Sequence, residues 1–565
     1  MAESATQLLK RYDALWGEQG TARSTWQDIA DLVIPHKSNI EIAPREGQKQ
    51  TQRLFDSTAP QAAVLLAAAL HGTMTPSTQP WLSLEMRDEA LMNEEVDAWL
   101  EDDARRMFRA LRASNFNTAI HELDQDVVTF ATAAMFTEEK PPLERGTFGG
   151  LRFRTVPIGT FVIAEDAEGV VDTLFRCIKL SARAALAKWG ERVGESIAKK
   201  AASKPDELVE IIHAVYPRAE YNARSRRGND MPWASCYVSR ESKTKIAEGG
   251  FLEFPFVVPR WARSTGEIYG RGPSHTALPD IKSLNAWVEF TLKALPLGMQ
   301  PPSIERSEAV VGDPDLTPGG RNVVDGAGDL DDMLKFMTTG FRPDIATDFY
   351  LQMVRKIEAM YFKPQLELTE GPQMTATEVQ VKYELMQRVL GPTAGRLETE
   401  LLNPLVDRIF RIMARAKAFR PMPASLRAAV HQDVADLDVR YEGPLARAQR
   451  SIELTAQDRT IGYVGQLSMA LAPIAPDLAR NVWDVVKLDE SIRARAEITG
   501  LPADQLETET TVQQVRQARA DQQAKQAQLQ TIMQGAEAAG KAAPALREVR
   551  EMAPAMQGQN GAKAA

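Results

Sequence analysis

The sequence predicts an α+β protein that is predominantly helical and carries one β-rich insertion. Two observations predict this class. Apolar residues recur at helical spacing along most of the chain, whereas short β-branched and aromatic runs separated by Pro and Gly are concentrated between residues 151 and 260. The chain has 565 residues, 44% hydrophobic and 25% charged, a balance typical of folded proteins. Three or four structural units are therefore expected.

Residues 1–272 are predicted to form helices around the β-rich module. The Ala/Leu-rich run PQAAVLLAAALHG indicates a buried helix, for which Ser57 or Thr58 supplies the N-cap and Gly72 the stop. The predicted helices are 6–33 with an interruption at 17–20, 57–72, 93–113, 116–136 and, inside the β-rich module, 181–202. The predicted strands are LRFRTV, TFVIAE, VVDTLFRCI, ASCYVSR and FLEFPFVV.

Two helices with a compact excursion between them are predicted in the middle of the chain. An apolar stripe from Leu278 to Leu295 predicts a first helix over 273–295, which Pro296 should end. The Pro/Gly/Asp-rich excursion over 296–342 contains the strand-like pieces PPSIE, EAVVG and RNVVD. A second amphipathic helix is predicted over 343–363.

The C-terminal third is predicted to be helical. A loop over 364–375 leads into a long helix over 376–420, which Gly391-Pro392 and Pro404 should kink or break because proline lacks an amide donor and clashes with the preceding turn. Shorter helices are expected over 421–510. The Gln/Ala-rich extension over 511–565 begins with a helix-forming segment and should be partly disordered.

Charge and cysteine content exclude several classes of protein. The net charge of −9 and the pI of about 5.5 do not suit a protein that coats nucleic acid. Cys177 and Cys236 cannot form a disulfide framework or a four-thiolate zinc site. The N-terminus lacks the charged-then-apolar order of a secretory signal, and the most apolar stretch, 62–70, is too short to cross a membrane. We expect a soluble, non-secreted protein.

No enzyme motif meets its structural requirements. GAEAAGKA, at 535–542, has the glycine and lysine spacing of a phosphate-binding loop but ends in Ala where Ser or Thr must hold magnesium. Gln125 occupies the position of the second zinc ligand after His121. Gly270-Arg271-Gly272-Pro273 is half a dinucleotide fingerprint, and we interpret it as the entry to a helix. The sequence therefore predicts no enzyme, no cofactor and no metal.

Four segments, in order along the chain, resemble the head-to-tail connector (portal) proteins of short-tailed bacteriophages. They are FDSTAPQAAVLLAAALHGTMTPSTQPWLSLEM, YGRGPSHTALPDIKSLN, MTATEVQVKYELMQRVLGPTAGRLETELLNPLVDRIF and YEGPLARAQR. The resemblance covers about residues 5 to 520.

The resemblance implies a ring, usually of twelve subunits, at one vertex of the capsid. Its parts would be a wing (1–272, with the β-rich module 151–260), stem helices (273–295 and 343–363), a clip (296–342), a tunnel loop (364–375), a kinked wing helix (376–420), a crown (421–510) and a C-terminal extension (511–565). Twelve helices spaced at about 9 to 10 Å would enclose a hole of about 26 Å. Duplex DNA could pass through such a hole.

The expected role is to conduct double-stranded DNA, without sequence specificity, during packaging and ejection. The implied partners are the terminase large subunit, the major capsid and scaffolding proteins, and the tail adaptor or tail tube proteins, with no membrane. The protein would be found in the virion, and in the host cytoplasm during assembly. The candidate channel and tunnel-loop residues are Lys335, Arg342, Lys356, Lys363, Glu367 and Glu370, and the candidate clip docking residues are Arg306 and Arg321.

Two alternatives remain at this point. A helical virion adaptor or internal ejection protein that binds the portal would share the helical composition but would lack a central hole. A hydrolase with an unrecognised pair of carboxylates is disfavoured because no catalytic constellation was found. Each of the candidate lysines has a simpler interpretation as a solvated or intersubunit charge.

Overall fold

A computed structural model divides the chain into two compact units, residues 1–449 and 450–565. The structure describes residues 3–41, 51–77, 80–86, 88–91, 93–141, 148–222, 225, 227–306, 313, 315–324, 334–336, 343–366, 391–429, 439–442, 459–489, 491–492, 495 and 511–526. Helices and antiparallel sheets both occur in the first unit, so the predicted α+β class is confirmed.

Five helices precede the β-rich module: α1 (Ala5–Glu18), α2 (Gly20–Val33), α3 (Thr58–Met74), α4 (Glu94–Arg112) and α5 (Phe116–Phe130). The predicted buried helix is α3, but its capping differs from the prediction. Ser57 occupies the N-cap position without a side-chain cap bond, and the Asp56 carboxylate accepts a hydrogen bond from the Thr58 amide at 2.9 Å. A residue outside the helix thus satisfies one of the free amides of the first turn.

Two antiparallel sheets form the β-rich module. After a first short strand, β1 (Ser83–Met86), the strands are β2 (Ala134–Glu139), β3 (Leu151–Val156), β4 (Phe161–Glu165), β5 (Val171–Ser181), β6 (Leu208–Pro217), β7 (Trp233–Ser239), β8 (Lys245–Phe251) and β9 (Phe256–Val257). The three-stranded sheet has the order β3-β2-β9 and the five-stranded sheet the order β4-β5-β6-β7-β8. One face of the five-stranded sheet packs on α1 through Leu8, Leu9 and Tyr12.

The predicted helix over 116–136 is too long. It ends at Phe130, because Ala131 adopts a left-handed conformation (φ 60°) and its carbonyl accepts a hydrogen bond from the Trp261 amide. Residues 134–136 belong to β2, which pairs with β3 on one side and β9 on the other. Pairing with strands distant in sequence overrides the helical preference of this Ala-rich run.

The predicted helix over 181–202 is two helices, α6 (Ala182–Trp189) and α7 (Glu195–Ser203). Gly190 and Gly194, both with positive φ, flank the 3₁₀ turn that separates them. The strand β6 was absent from the prediction, although it is the central strand of the five-stranded sheet. Its nearly continuous apolar run lacks the two-residue alternation that distinguishes a strand from a buried helix.

Two further helices enclose a small sheet: α8 (Pro273–Met299) and α9 (Pro343–Met360). The prediction that Pro296 ends the first helix is wrong, because α8 continues to Met299 with Pro279 and Pro296 inside it. The second helix ends at Met360, three residues before the predicted end. Phe362 has φ 58°, and a short helix, α10 (Lys363–Leu366), occupies the start of the predicted loop 364–375. The rest of that loop lies outside the described residues.

Near Pro404, where the sequence predicts a kink or a break, the helix changes its hydrogen-bonding pattern. Residues 391–397 are helical, Glu398–Leu402 form a π-helical turn, and α11 (Asn403–Arg415) begins with Pro404 in its first turn. What precedes Gly391 lies outside the described residues. The segment 421–510 does not form one block, because α12 (Ala424–Ala429) contacts α4 and a strand at Val439–Glu442 pairs with Ser83–Met86 inside the first unit.

Buried arginines connect the β-rich module to the helices that follow it. Arg260 is 2% exposed and pairs with Glu165, at the end of β4, and with Glu400 of the π-turn at 2.9 Å. Arg408 of α11 donates two hydrogen bonds to the Thr137 carbonyl of β2, at 2.9 and 3.1 Å, and pairs with Glu253. These contacts fix the π-turn and α11 against both sheets.

In the second unit, a helix over 459–471 packs against a helix at Pro476–Asn481, where the Ser468 hydroxyl donates to the Ala479 carbonyl at 2.9 Å. Residues 511–526 form a helix that is almost entirely exposed, which confirms the predicted helix-forming start of the extension. Throughout the ranges that the structure describes, no helix is both long enough and apolar enough to cross a membrane.

Asp103 of α4 gives the stability of the fold a pH dependence that can be measured. The residue is fully buried, and neither carboxylate oxygen has a hydrogen-bond partner of normal geometry. Burial, with a smaller contribution from the charge of Asp102, raises the pKa of Asp103 to about 7. Because the folded pKa exceeds the unfolded value of about 3.9, the free energy of unfolding should fall as pH rises from about 4 to about 7.

We expect Asp103→Asn to stabilise the protein, and to do so by about 2 kcal/mol more at pH 8 than at pH 5, as measured by urea denaturation. The exposed Asp206 provides a matched control, since Asp206→Asn should change stability equally at both pH values. Equal effects of Asp103→Asn at the two pH values would show that Asp103 does not titrate in this range.

Candidate functional site

The candidate site is the pair of helices α8 and α9, together with the small sheet between them. A chain of buried hydroxyls joins the start of α8 to the end of α9. The Tyr361 hydroxyl donates to the Ser274 hydroxyl at 2.9 Å, and Ser274 donates to the Val128 carbonyl of α5 at 3.3 Å. Burial raises the pKa of the Tyr361 phenol, which therefore stays protonated as a donor. The start of α8 and the end of α9 are thus anchored at the same point in the core.

Asn285 anchors the middle of α8 to the loop that precedes α3. Its side-chain oxygen accepts hydrogen bonds from the amides of Phe55 (2.7 Å) and Asp56 (3.3 Å), and its amide group donates to the Arg53 carbonyl at 2.7 Å. Asp56 also accepts a hydrogen bond from the Tyr350 hydroxyl of α9 at 3.2 Å. The loop over residues 53–56 therefore contacts both helices at the same level along the pair.

Beyond this anchor the two helices contact each other mainly through aromatic side chains. The ring centroid of Trp287 lies 5.6 Å from that of Phe349 and 6.3 Å from that of Tyr350. Large apolar side chains of both helices are exposed, and the apolar stripe of α8 is buried only in its first half. The exposed residues are Phe290, Leu292, Leu295 and Met299 of α8 and Phe349 and Leu351 of α9.

A three-stranded sheet, with the order β11-β10-β12, lies between the two helices in sequence. It consists of β10 (Ser303–Arg306), β11 (Arg321–Val324) and β12 (Leu334–Phe336), of which β10 pairs parallel with β11 and antiparallel with β12. Asn322 is buried and connects the 315–317 turn to the sheet, because its side chain accepts from the Asp315 amide and donates to the Asp315 carbonyl. Two predicted strands are confirmed, β12 was not predicted, and EAVVG lies outside the described residues.

The charges on the helix pair are nearly balanced. Within α8 and α9 the sequence places five acidic and four basic residues. Lys293 pairs with Glu289 along α8 at 2.7 Å, and Lys282 pairs with Asp28 of α2 at 2.6 Å. Burial lowers the pKa of His275, in the first turn of α8, to about 4, so this residue adds no charge at neutral pH.

The structure places five of the eight predicted site residues. Lys356 is exposed on α9, whereas Lys363 is half-buried and pairs with Glu358 at 2.6 Å. Lys335 lies in β12 opposite Ile304 of β10, Arg306 ends β10, and Arg321 begins β11. The three residues thus belong to one small sheet, in which Arg321 pairs with Ser303 at the start of β10 and Arg306 lies at its end. Arg342, Glu367 and Glu370 lie outside the described residues.

The residues that fix the helix pair were not among the predicted site residues. Asn285 immediately follows the apolar residue Leu284, and Tyr361 lies within the amphipathic helix predicted over 343–363. A polar residue next to the buried part of an apolar helical stripe is a signal for a buried hydrogen bond. The partners could not have been found this way, since Arg53 is far from Asn285 in sequence and Ser274 is far from Tyr361.

Comparison with known proteins decides the family. A model of the bacteriophage head to tail connecting protein family matches residues 5–506. The chain belongs to this family of phage portal, or head-to-tail connector, proteins. The resemblance inferred from the four sequence segments is thereby confirmed, and the family name describes a structural connector of phage particles rather than an enzyme.

Two curated relatives agree with the family match. The chain is 28% identical over 551 residues to a probable portal protein of Bordetella phage BPP-1, covering 94% of each chain. It is 27% identical over 576 residues to the portal protein of Salmonella phage epsilon15, covering 98% of this chain and 97% of the relative. A solved chain from the virion of a native gene transfer agent particle aligns with 78% of this chain and 95% of its own length, at 13% identity and a TM-score of 0.32. This TM-score is too low to show a shared fold.

Asn285 should be the most sensitive single position in the anchor. Asn285→Ala leaves two backbone amides and one carbonyl without their partner in a part-buried loop, so we expect a loss of about 2 to 3 kcal/mol in the free energy of unfolding, measured by urea denaturation. Asn117→Ala, at an exposed position of α5, serves as the matched control and should cost less than about 1 kcal/mol. Equal losses for the two variants would contradict the anchoring role.

Proposed function

We propose that this protein assembles into the ring, of the twelve subunits that the resemblance implies, through which double-stranded DNA enters and leaves the phage capsid. Membership of the head-to-tail connector family carries the proposal, and the half-buried helix pair supports it. In this proposal α8 and α9 are the stem, the sheet β10–β12 lies in the clip, and the β-rich module belongs to the wing. The second compact unit would contain most of the crown.

The exposed apolar residues favour assembly through the stem. Monomeric soluble proteins rarely leave several large apolar side chains exposed along one helix. Phe290 and Met299 are 67% and 76% exposed, and both lie beyond the anchor at Asn285. Neighbouring copies of α8 and α9 arranged around an axis would cover this surface, since a head-to-tail cyclic interface repeats identically in every subunit.

The dimensions of such a ring suit duplex DNA. One helix per subunit at an interhelical distance of about 9 to 10 Å gives twelve helices an inner opening of about 26 Å. A ring of four or six such helices would leave no comparable opening. A ring of twelve subunits, the number that the resemblance implies, would therefore have room for a duplex.

The charge of the stem supports passage rather than retention of DNA. Every phosphate that Lys or Arg neutralises adds salt-dependent affinity, so a strongly basic wall would hold the DNA. The five acidic and four basic residues of α8 and α9 leave the stem almost neutral. Lys356, which is exposed, is the better candidate for a weak, non-specific contact, because Lys363 is already paired with Glu358.

The clip is the proposed docking surface for the terminase large subunit and, later, for tail adaptor or tail tube proteins. Arg306, Arg321 and Lys335 lie in one small sheet that is joined to the rest of the chain through the two stem helices. The wing would contact the major capsid and scaffolding proteins. The alternative of an adaptor or internal ejection protein is less favoured, because both curated relatives are described as portal proteins and match over nearly their full length.

The exposed apolar stripe provides a test of assembly. Phe290→Asp combined with Leu295→Asp should place charges in the subunit interface and prevent ring formation, while each subunit stays folded because both side chains are exposed. Light scattering and negative-stain electron microscopy should show rings for the natural protein and smaller species for the double variant. Val170→Asp, at a similarly exposed position of the β-rich module, is the control and should leave rings intact.

Particles of about 62.5 kDa under all conditions would overturn the proposal, as would solid particles without an axial opening.

Replacing Glu367 and Glu370 by Lys tests the tunnel-loop assignment. In a ring, the two substitutions would add repeated positive charges next to the DNA, so packaging should slow or stall in a defined packaging assay while rings still form. Glu367→Gln with Glu370→Gln is the control that removes charge without adding a cation. An unchanged rate and length of packaged DNA in the lysine variant would show that these residues do not face the channel.

A further inference from the structure

The second face of the five-stranded sheet contains a polar row between two apolar clusters. Arg176 of β5 lies opposite His213 of β6, which lies opposite Tyr237 of β7. On this face, Val209 and Ile211 pack against α6 and α7 on one side of the row, and Leu174 and Val215 join the main core on the other. A cation is thus placed inside an otherwise apolar face.

Hydrogen bonds fix the protonation of the row. Arg176 Nε donates to His213 Nδ1 at 3.0 Å, so Nδ1 carries no proton, and His213 Nε2 lies 3.0 Å from the Ser235 hydroxyl, to which it donates. Burial lowers the pKa of His213 well below its ordinary value. The imidazole is therefore neutral, and the positive charge of the row resides on Arg176.

Arg176 lacks the partner that a buried cation usually has. Arg176 is 5% exposed, yet no carboxylate in the described parts of the chain lies within ion-pair distance of it; the charge of Glu138, which pairs with Arg154, acts on it from farther away. Its guanidinium lies over the rings of Phe136 (4.6 Å) and Phe256 (5.4 Å) and interacts with the Tyr237 phenol. Buried charges are generally paired or bound to an ion, and guanidinium has five N–H donors, so donors remain for an oxyanion.

Two more cations lie at the rim. Lys188 of α6 is exposed, forms no ion pair with a described carboxylate, and has its Nζ 4.6 Å from the ring of Trp189 and 5.4 Å from that of Tyr237. Arg154 of β3 pairs with Glu138 at 3.6 Å. The charge of Glu138 also acts on Lys188 and on Arg176. We refer to Arg154, Arg176 and Lys188 as the cation cluster, and it has more positive than negative charge.

We propose that the cation cluster binds the side-chain carboxylate of an acidic segment of a partner protein. Guanidinium and ammonium groups recognise carboxylates by charge-assisted hydrogen bonds. Since Arg176 is almost completely buried while Lys188 and Arg154 are exposed, the group that reaches it must be narrow. A carboxylate on a flexible side chain meets this requirement, whereas the phosphates of a duplex are held on a rod too wide to enter.

The test is isothermal titration calorimetry of the full chain with an N-acetylated, C-amidated hexaglutamate peptide, with hexaglutamine and inorganic phosphate as separate arms at constant ionic strength. We expect saturable binding of hexaglutamate alone. Lys188→Gln should weaken that binding about tenfold, because it removes one charge-assisted contact. Lys199→Gln, on the neighbouring helix α7 and paired with Glu195 at 2.7 Å, should leave it unchanged.

Arg176→Gln should abolish saturable binding while Trp near-ultraviolet circular dichroism stays native. If that variant does not fold, the comparison of Lys188→Gln with Lys199→Gln still decides whether the cation cluster binds the peptide. Absence of saturable binding by hexaglutamate, or equal weakening by Lys188→Gln and Lys199→Gln, would overturn the site. Binding of phosphate as tight as that of hexaglutamate would overturn the assignment to a protein segment. None of these outcomes depends on ring formation, so the site can fail or hold independently of the proposed channel.

Discussion

The unequal burial of α8 is the constraint on which the rest of this structure depends. Its first half, with Ala277, Leu278, Ile281 and Leu284, lies in the main core, whereas its second half leaves Phe290 and other large apolar residues exposed. Hydrogen bonds at the start and in the middle of α8 anchor this first half. Burying an apolar side chain is worth about 1.5 to 3 kcal/mol, so covering the exposed half in the proposed ring would favour association.

The buried arginines serve a different purpose, which is to hold the β-rich module in a fixed position relative to the helices. Arg260 connects the end of β4 to the π-turn, and Arg408 connects α11 to β2. Such contacts resist displacement, because removing one partner leaves an uncompensated buried charge at a cost of about 3 to 5 kcal/mol. Arg176 contrasts with both, since it has a histidine and aromatic rings around it but forms no ion pair with a described carboxylate.

Prediction from the sequence succeeded where local pattern and tertiary environment agree, as in α2 and α4, which follow uninterrupted 3.6-residue periodicity. It failed where distant contacts decide. The segment 134–136 suits a helix, but β3 and β9 pair with it as a strand. In the candidate site, periodicity predicted the order of helix, excursion and helix, yet Pro296 did not end α8. Charge alone singled out Arg306, Arg321 and Lys335, whereas only the strand register shows where each lies in the small sheet.

By itself, the amino-acid sequence determined the fold class, the family, and the positions of most helices, because these depend on residue order and on the apolar period along the chain. The tertiary structure alone decided which half of the α8 stripe is buried, which loop Asn285 holds, and that Arg176 forms no ion pair with a carboxylate in the described part of the chain. The physical reason is that burial and hydrogen bonding are properties of pairs of residues. Asn285 and Arg53, or Arg176 and His213, become neighbours only when the whole chain has folded.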